Sequence, residues 1–390
     1  MLSALSATQL EHDLSIRDLT DPAQGVHAMQ HLVGALVDAV HDAWSCEVRL
    51  VRGARIVTVE DNYSALGYPP DAVTRDARYT RYVDGGRVLR SHSTATIPGG
   101  LRALAAETAS AAVPDNTAST AAPTDVLLAC PGICYRRDSV DWQHSATPHQ
   151  IDLWRMRRGT ACTEDDLDEL IGLVVRAALP GSRWRTVPAD HPYTEHGREV
   201  YACRDSAWVE IGECGLAAPA VLARTGLDVR AWSGLAMGLG LDRLLMLRKG
   251  IPDIRLLRSA DLRVTAQMLD LAPYRPVSHQ PPVRRDLSVV VGPDVEASAE
   301  VLGDRIREAL GPDNDVAEEV GVLSETPYQD LPPAARARLG IRPSQRNLLI
   351  KLVLRALDRT LTDAEANVLR DRVYAALHEG TVAEWASRRR

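Results

Sequence analysis

The pattern of apolar residues predicts helices and strands along most of the chain. Between residues 22 and 44 they recur with the period of an α-helix, at Val26, Met29, Leu32, Val33, Leu36, Val37 and Val40. Residues 164–178 have the same period and follow Thr163, a favourable helix N-cap. The continuous apolar run 126–129 predicts a buried strand over residues 125–136, and residues 49–59 and 208–215 are also typical of strands. The pattern therefore predicts a mixed α and β core.

A change in composition at residues 271–274 divides this pattern in two. Beyond it the predicted order is a strand (287–291), a helix (297–310), two strands (315–322 and 347–354) and a helix (363–378). The order β-α-β-β-α is typical of a split βαβ sandwich. We therefore predict two domains, 1–270 and 271–390, and an α+β fold class. Residues 108–124, rich in Ala, Ser, Thr and Pro, are predicted to form an exposed loop in the first domain.

Composition places the chain among globular proteins. Its 390 residues are 45% hydrophobic and 25% charged, and no apolar run reaches the length of a membrane span. The N-terminus lacks the layout of a secretory signal, so we expect a cytoplasmic protein. Six cysteines without paired spacing are expected to be free, mostly buried thiols. A net charge of −7 disfavours a general nucleic-acid binder but is compatible with a local basic patch.

Two arginines stand in positions suited to binding phosphate. Arg136 follows the predicted buried strand, and Arg243 follows a glycine-rich segment, 238–240, that we interpret as a turn before an apolar helix. The planar guanidinium group binds phosphate oxygens in pairs and keeps its charge. Two such groups in one cleft could hold ATP bent for attack on its α-phosphate. For each arginine alone, a surface ion pair is the simpler interpretation.

Taken together and in order, these segments resemble the phenylalanyl branch of the class II aminoacyl-tRNA synthetases. Tyr135-Arg136-Arg137-Asp138 is similar to motif 2 of that class, and residues 234–243 (GLAMGLGLDR) resemble motif 3. The segments 89–95 (LRSHSTA), 144–152 (HSATPHQID) and 250–255 (GIPDIR) resemble further signatures of the branch. Residues 274–286 and 358–365 resemble its ferredoxin-fold anticodon-binding domain. The layout is similar to the single-chain organellar enzyme.

The resemblance implies a class II antiparallel-sheet catalytic domain, followed by a C-terminal ferredoxin-like βαββα sandwich. It also implies that an amino-acid carboxylate attacks the α-phosphate of ATP, with Mg²⁺ on the leaving pyrophosphate. Arg136 and Arg243 would bind phosphate oxygens and act as the catalytic arginines, and Glu210 would lie beside ATP and Mg²⁺ as the metal ligand. The residues implied at the amino-acid site are His92, Thr94, Gln150, Asp152, His191, Tyr193, Glu213 and Ala236.

The side-chain pocket departs from the family pattern. The family's F-P-F-T is His191-Pro192-Tyr193-Thr194 here, its Glu two residues after Gln150 is Asp152, and a small residue before Cys214-Gly215 is Glu213. A carboxylate in such a pocket is costly to bury without a polar partner, which a hydrocarbon side chain cannot supply. We therefore expect a polar or cationic amino acid as substrate. The alternative is that Glu213 pairs with His191 or an arginine and leaves a pocket of phenylalanine size.

The chain contains no phenylalanine. A protein of this composition can be translated when charged phenylalanine tRNA is scarce, which would suit regulation or protection of that supply. Drift in a paralogue under compositional bias is the plainer explanation.

Transfer RNA is the acceptor that the resemblance implies. Arginines of the C-terminal domain that could contact phosphate are Arg284, Arg285, Arg355 and Arg359, although each is also typical of a solvated surface. Two other classes remain open: a ligase that passes the activated amino acid to a non-tRNA acceptor, and a non-catalytic sensor of amino acid or tRNA. The retained Arg136, Glu210 and Arg243 disfavour the sensor. The family is compatible with a monomer or a homodimer.

Overall fold

The computed structural model describes residues 4–111, 123–204, 207–277, 281–357 and 359–383. The chain forms two compact units. The first comprises Met1–Arg136, Thr147–Ile251 and Gln267–Tyr274, and the second comprises Arg137–Ala146, Pro252–Ala266 and Arg275–Arg390. The chain therefore passes between the units several times, so that neither unit is one continuous segment.

A seven-stranded sheet is the centre of the first unit, with a two-stranded ladder beside it. The strands are β1 (Glu47–Leu50), β2 (Ile56–Thr58), β3 (Arg87–Leu89), β4 (Asp125–Ile133), β5 (His149–Arg158), β6 (Trp184–Pro188), β7 (Thr194–Arg204), β8 (Ala207–Ala217) and β9 (Trp232–Gly240). The large sheet has the order β1-β4-β5-β9-β8-β7-β6, and β2 pairs with β3. Every pair in the large sheet is antiparallel except β1 with β4. The predicted α+β class with an antiparallel catalytic sheet is confirmed.

Helices flank this sheet. Those of the first unit are α1 (Ala7–Ser15), α2 (Ala28–Trp44), α3 (Ile97–Ala111), α4 (Glu164–Ala178), α5 (Pro219–Arg224) and α6 (Leu241–Lys249). The predicted loop 108–124 thus begins inside α3, and its residues 112–122 lie outside the described part of the chain. Among the described residues, no helix combines the length and the apolar character that crossing a membrane requires. All six cysteines are free, and five of them are buried.

Local structure at the N-terminus explains where two predicted helices begin. In α4, the Thr163 hydroxyl accepts a hydrogen bond from Asp166 N at 3.2 Å, and the Asp166 carboxylate accepts one from Thr163 N at 2.8 Å. This reciprocal capping box satisfies two backbone donors and starts the helix at the predicted residue. Helix α2 instead begins at Ala28, because Pro22–Gln24 forms a separate 3₁₀ turn and Val26 is exposed.

The glycine-rich segment before Arg243 is a strand rather than the predicted turn. Gly238 and Gly240 are among the last three residues of β9, which pairs with β5 on one side and β8 on the other. Glycine suits this strand because the neighbouring chains approach closely: a Cβ on Gly234 would lie 2.8 Å from the Arg155 carbonyl oxygen. Gly234 therefore makes room within the sheet, whereas a Cβ on Gly238 or Gly240 would meet nothing closer than 3.8 Å. The apolar helix predicted after them is α6.

A three-stranded antiparallel sheet forms the second unit. Its strands are β10 (Val283–Val291), β11 (Ala317–Pro327) and β12 (Arg346–Leu354), in the order β10-β12-β11, and its helices are α7 (Leu262–Thr265), α8 (Ala299–Leu310), α9 (Pro333–Leu339) and α10 (Asp363–Leu377). Its core contains residues from all three strands and from α8 and α10. The main elements follow the order β-α-β-β-α, with α9 added between β11 and β12. A ferredoxin-like fold stays a prediction for this unit.

The segment 137–146 belongs to the second unit through its packing. Val140 lies in the core of that unit, and its carbonyl accepts a hydrogen bond from Val320 N at 2.9 Å. The Arg307 guanidinium donates to the carbonyl oxygens of Asp138 and Ser139, at 2.9 and 2.7 Å. The residues directly after Arg136 are therefore held by the unit formed by the C-terminal part of the chain.

Replacing Gly212 with alanine is expected to destabilise the protein by about 3 kcal/mol, because the sheet leaves no room for a side chain there. A Cβ on Gly212 would lie 2.1 Å from the Gly238 carbonyl oxygen, whereas a Cβ on Gly238 would meet nothing closer than 3.8 Å. Gly238→Ala is therefore the matched control, with a change below about 1 kcal/mol. Urea unfolding followed by circular dichroism measures both. Equal free energies of unfolding for the two variants would contradict this packing.

Candidate active site

An irregularity in the pairing of β7 with β8 brings two glutamates onto one face of the sheet. Glu213 lies opposite Glu199 and Glu210 lies opposite Tyr201, with a register shift between these pairs. In a regular strand, residues three apart point to opposite faces. The bulge inserts one extra residue and cancels that alternation. Glu210 and Glu213 consequently face the same side of the sheet.

Asp152 lies across β9 from Glu213. Gly238 pairs with Asp152 on one side and with Glu213 on the other. A Cβ on Gly238 would lie 3.8 Å from Asp152 Oδ1 and 3.9 Å from Glu213 Cγ. Two carboxylates therefore flank one glycine, and the missing side chain leaves space between them.

Buried hydroxyl and indole groups hold the Asp152 carboxylate. Ser93 and Thr94 donate to Asp152 Oδ2 at 2.5 and 3.1 Å, and Trp154 Nε1 donates to Oδ1 at 3.2 Å. Burial raises the pKa of Asp152 from 3.8 to about 7, and the nearby Glu213 charge adds to the rise, although the three hydrogen bonds oppose it. This carboxyl can hold a proton near neutral pH.

Asp152→Asn is expected to gain stability relative to the native protein as the pH rises from 5 to 8. The unfolded Asp152 loses its proton near its ordinary pKa of 3.8, while the folded one keeps it until about 7. The native protein therefore loses stability as the pH rises through this window, and a neutral amide does not. The Asn nitrogen can replace Oδ2 and donate to the Ser93 and Thr94 hydroxyl oxygens.

Urea unfolding of Asp152→Asn at pH 5, 6, 7 and 8 checks this expectation. Asp71→Asn, at an exposed carboxylate, is the control. A constant difference in unfolding free energy between the Asp152 variant and the native protein over this range would contradict a raised pKa for Asp152.

Aromatic rings form one wall beside the two carboxylates. The centre of the His92 ring lies 6.1 Å from the ring centre of Tyr63 and 5.8 Å from that of Tyr68. The ring centres of Tyr68 and Tyr193 are 6.3 Å apart. Both ring nitrogens of His92 are buried, and neither has a hydrogen-bond partner within the described ranges. Burial lowers the pKa of His92 to about 4, and Arg136 contributes to the lowering. His92 is therefore a neutral imidazole that can still accept or donate a hydrogen bond.

Glu213 is the centre of a polar network on the other side. His191 Nε2 lies 2.7 Å from Glu213 Oε2, and the Tyr193 hydroxyl donates to Oε1. The hydrogen bond to Glu213 raises the pKa of His191. Burial of Glu213 opposes its ionisation, yet the His191 hydrogen bond and charge lower its pKa. Glu213 is therefore a paired anion, and 39% of its side chain remains exposed to the site.

The Arg243 guanidinium binds Glu210. Its Nη1 donates to Glu210 Oε2 at 2.8 Å and to the Glu210 carbonyl oxygen at 2.6 Å. Arg243 is the third residue of α6, directly after β9, so the strand and the helix together fix its direction. Arg136 follows β4 and forms a backbone bridge with Thr80. Its charge contributes to the lowered pKa of His92.

Glu210 is compatible with a role at Mg²⁺. Its side chain is 44% exposed. Mg²⁺ is usually bound through one or two carboxylates together with substrate phosphates and water, without a dedicated protein cage. The described residues contain no cluster of three or more histidine, cysteine or acidic side chains suited to a metal.

The other residues predicted from the sequence lie around Asp152 and Glu213. Gln150 Oε1 accepts hydrogen bonds from Ser93 N at 3.2 Å and from Cys134 Sγ at 3.4 Å. Ala236 is fully buried and pairs with Trp154 on one side and with Gly215 on the other. Its methyl group forms part of the floor of the candidate site. The amino-acid set predicted from the sequence is thus grouped around Asp152 and Glu213.

Sequence reasoning missed three contributors to this cluster: Tyr68, Ser93 and Trp154. Trp154 follows Asp152 by two positions, so strand alternation could have placed both on one face. Ser93 stands between two predicted site residues. Tyr68 carried no usable signal, because it reaches the site from a loop.

The four arginines predicted to contact RNA lie in the second unit, and most are already paired. Arg285 donates to Asp363 at 2.8 Å, Arg355 binds Glu318, and Arg359 lies 2.8 Å from Glu365. Arg284 is exposed, and the described residues supply no ion-pair partner for it. Their role in binding RNA stays a prediction.

Comparison with known proteins identifies relatives that match most of the first unit and the short segments of the second unit that interrupt it. Residues 12–268 match the family described as the tRNA synthetases class II core domain (F). The phenylalanine–tRNA ligase alpha subunit of Prochlorococcus marinus (strain MIT 9313) is 34% identical over 255 residues, which cover 64% of this chain and 69% of that subunit. The corresponding subunit of Nostoc punctiforme (strain ATCC 29133 / PCC 73102) is 30% identical over 268 residues, 68% of this chain and 75% of the subunit. The family match ends before most of the second unit.

Proposed function

Because the chain belongs to the class II aminoacyl-tRNA synthetase family, in its phenylalanyl branch, we propose that it activates an amino acid with ATP and transfers it to tRNA. The observation that carries this proposal is the arrangement on one sheet face: a pair of Arg243 and Glu210 beside the carboxylates of Asp152 and Glu213. A guanidinium group suited to phosphate thus lies on the same sheet face as carboxyl groups suited to an ammonium group. We place the enzyme in the cytoplasm, as a monomer or a homodimer.

The reaction that this arrangement serves is formation of an aminoacyl adenylate. The amino-acid carboxylate attacks the α-phosphorus of ATP, a new O–P bond forms, and the bond to pyrophosphate breaks. Arg243 and Arg136 hold phosphate oxygens and offset the negative charge that builds up during attack. Most of the remaining rate enhancement comes from holding the two reactants in line. Glu210 would hold a Mg²⁺ ion, which would supply further positive charge at the phosphate oxygens.

The side chain of the substrate is proposed to be more polar than that of phenylalanine. An ionised carboxylate offers about four lone-pair positions, and His191 and Tyr193 use two at Glu213. The exposed part of Glu213 can accept a hydrogen bond from an amine, hydroxyl or guanidinium group of the substrate. The pairing with His191 equally fits the alternative, in which Glu213 is satisfied within the protein and the pocket admits phenylalanine.

ATP–pyrophosphate exchange measured with each of the twenty amino acids tests the activation step. We expect exchange that depends on one amino acid or a small group of polar or cationic ones. Exchange driven by phenylalanine alone would contradict the polar pocket but not the activation. Absence of exchange with all twenty, from folded protein, would contradict activation itself.

Aminoacylation of total tRNA tests the acceptor. Stable attachment of the activated amino acid to tRNA, sensitive to base hydrolysis, is the expected result. Exchange without attachment would point to a ligase that uses another acceptor.

A further inference from the structure

A buried polar cluster joins the N-terminal segment to the ends of two strands and the start of a helix. It is formed by Asp18, His149 and Asp242, and we call it the Asp–His–Asp cluster. His149 is the first residue of β5, Asp242 is the second residue of α6, and Asp18 lies in the segment that follows α1. The His149 side chain is fully buried, and those of Asp18 and Asp242 are only 9% and 8% exposed. Ionisable groups are buried at a cost unless they are paired, so their hydrogen bonds indicate what the cluster does.

The hydrogen bonds of His149 fix the direction of its ring. Leu19 N donates to His149 Nε2 at 3.1 Å, so this nitrogen is an acceptor and the ring proton is on Nδ1. His149 Nδ1 then donates to Asp242 Oδ1 at 2.9 Å, and His149 N donates to Asp242 Oδ2. Asp242 directly precedes Arg243 in the first turn of α6. The turn that carries Arg243 is therefore attached to the first residue of β5.

Asp18 holds the end of β4 next to the same ring. Its Oδ2 accepts a hydrogen bond from Ile133 N at 3.0 Å, and its Oδ1 lies 4.0 Å from His149 Nε2. Arg90 adds to this support, because its Nε donates to the Ile133 carbonyl oxygen at 2.7 Å and its Nη2 lies 3.8 Å from Asp18 Oδ2. Ile133 is the last residue of β4, three positions before Arg136. Buried charged side chains thus bind the backbone from which Arg136 extends.

The cluster is better suited to fixing geometry than to adding stability. Desolvation of buried charges offsets most of their attraction, so an apolar cluster of the same volume often holds a fold equally well. Hydrogen bonds are directional, however, and fix the positions of the groups that they join. This cluster joins the end of β4 before Arg136 to the start of α6 at Arg243. Both connections meet at the His149 ring, one at each nitrogen.

We propose that His149 is a positioning residue, which holds Arg136 and Arg243 in the mutual arrangement that attack on the α-phosphate of ATP requires. Because its side chain is fully buried, it acts through the segments on its two sides and not by contact with a substrate. This inference rests on the proposed function, since it concerns the geometry of the proposed phosphate-binding groups.

Steady-state ATP–pyrophosphate exchange by His149→Leu tests this role. We expect kcat to fall by about 10–10²-fold, because displacement of a binding group by about 1 Å is enough for such a loss. The KM for ATP is expected to change by less than about three-fold, since both arginines keep their charge and stay in the site. His149→Asn should recover part of kcat, because its amide nitrogen can donate to Asp242 in place of Nδ1, while nothing replaces Nε2.

Asp125→Asn is the matched control, because it breaks the ion pair of a buried arginine on the same two strands, away from the cluster. Asp125 is the first residue of β4, and its carboxylate accepts hydrogen bonds from Arg155 Nε and Nη2 at 2.9 and 2.7 Å. We expect this variant to unfold at a lower urea concentration, as His149→Leu does, and to keep the native kcat per folded molecule. Equal kcat values for the folded forms of the two variants would overturn the positioning role.

Hydrogen–deuterium exchange followed by mass spectrometry gives a second readout that does not depend on the chemistry. In His149→Leu, peptides covering residues 133–136 and 241–247 should both exchange at least about ten-fold faster, while Asp125→Asn leaves both unchanged. Faster exchange in only one of these segments, or in neither, would overturn His149 as their shared support. If the native protein shows no ATP–pyrophosphate exchange, the proposed function fails, whereas the deuterium measurement still decides whether His149 holds both segments.

Discussion

Arg243→Ala is expected to reduce amino-acid-dependent ATP–pyrophosphate exchange by about 10²–10³-fold, a typical cost of removing one preorganised group that stabilises developing charge. The effect should be mainly on kcat, because the charge on the α-phosphate grows as the bond to pyrophosphate breaks. Arg243→Lys should recover only part of the rate, since an ammonium group cannot bind two oxygens in the fork geometry.

Arg230→Ala is the control for this experiment. Arg230 is an exposed arginine whose side chain is 89% accessible and pairs only with Asp228 within the described structure. Its variant should keep the native exchange rate. Equal rates for the Arg243 and Arg230 variants would remove Arg243 from the chemistry, and the pair it forms with Glu210 would then be purely structural.

Glu213→Gln is expected to lower kcat/KM for the preferred polar amino acid by about 10²-fold, because the neutral amide removes the negative charge that a donor group of the substrate would bind, and hydrogen bonds to charged groups are the stronger ones. Its kcat/KM for phenylalanine should fall much less, or rise. The relevant measurement is the ratio of these two values in ATP–pyrophosphate exchange.

Glu169→Gln, at an exposed position of α4, is the matched control and should leave this ratio unchanged. If Glu213→Gln leaves the ratio unchanged as well, Glu213 serves only to hold His191 and Tyr193. The pocket would then be of the apolar type despite its carboxylate.

Local sequence signals were sufficient to predict an element where one short segment determines its structure. Helix α4 occupies the predicted residues because Thr163 and Asp166 cap it and its apolar positions repeat regularly. Strand β12 was predicted within one residue at its start, since its apolar run is buried within the second unit. The grouping of the amino-acid site residues followed from their order along motifs that resemble the synthetase pattern.

Features that depend on neighbouring strands could not be predicted in this way. The bulge that turns Glu210 and Glu213 to one face is a property of the pairing of β7 with β8, and no residue of β8 signals it. Glycines 238 and 240 resembled a turn because the sequence does not show that β5 and β8 pair with β9 on its two sides. Tyr68 reaches the site from a loop, where neither period nor motif marks it.

The segment 137–146 has a consequence for how this enzyme can be dissected. A truncation after residue 270 removes the strands and helices that bury Val140 and the Arg307 guanidinium that holds two of the loop's carbonyl oxygens. Such a fragment keeps Arg136 but loses the support for the residues that come directly after it. The loop next to a proposed phosphate-binding arginine is thus held in place by residues of the C-terminal part of the chain. Point substitutions in the intact protein therefore report on the chemistry more faithfully than a shortened version.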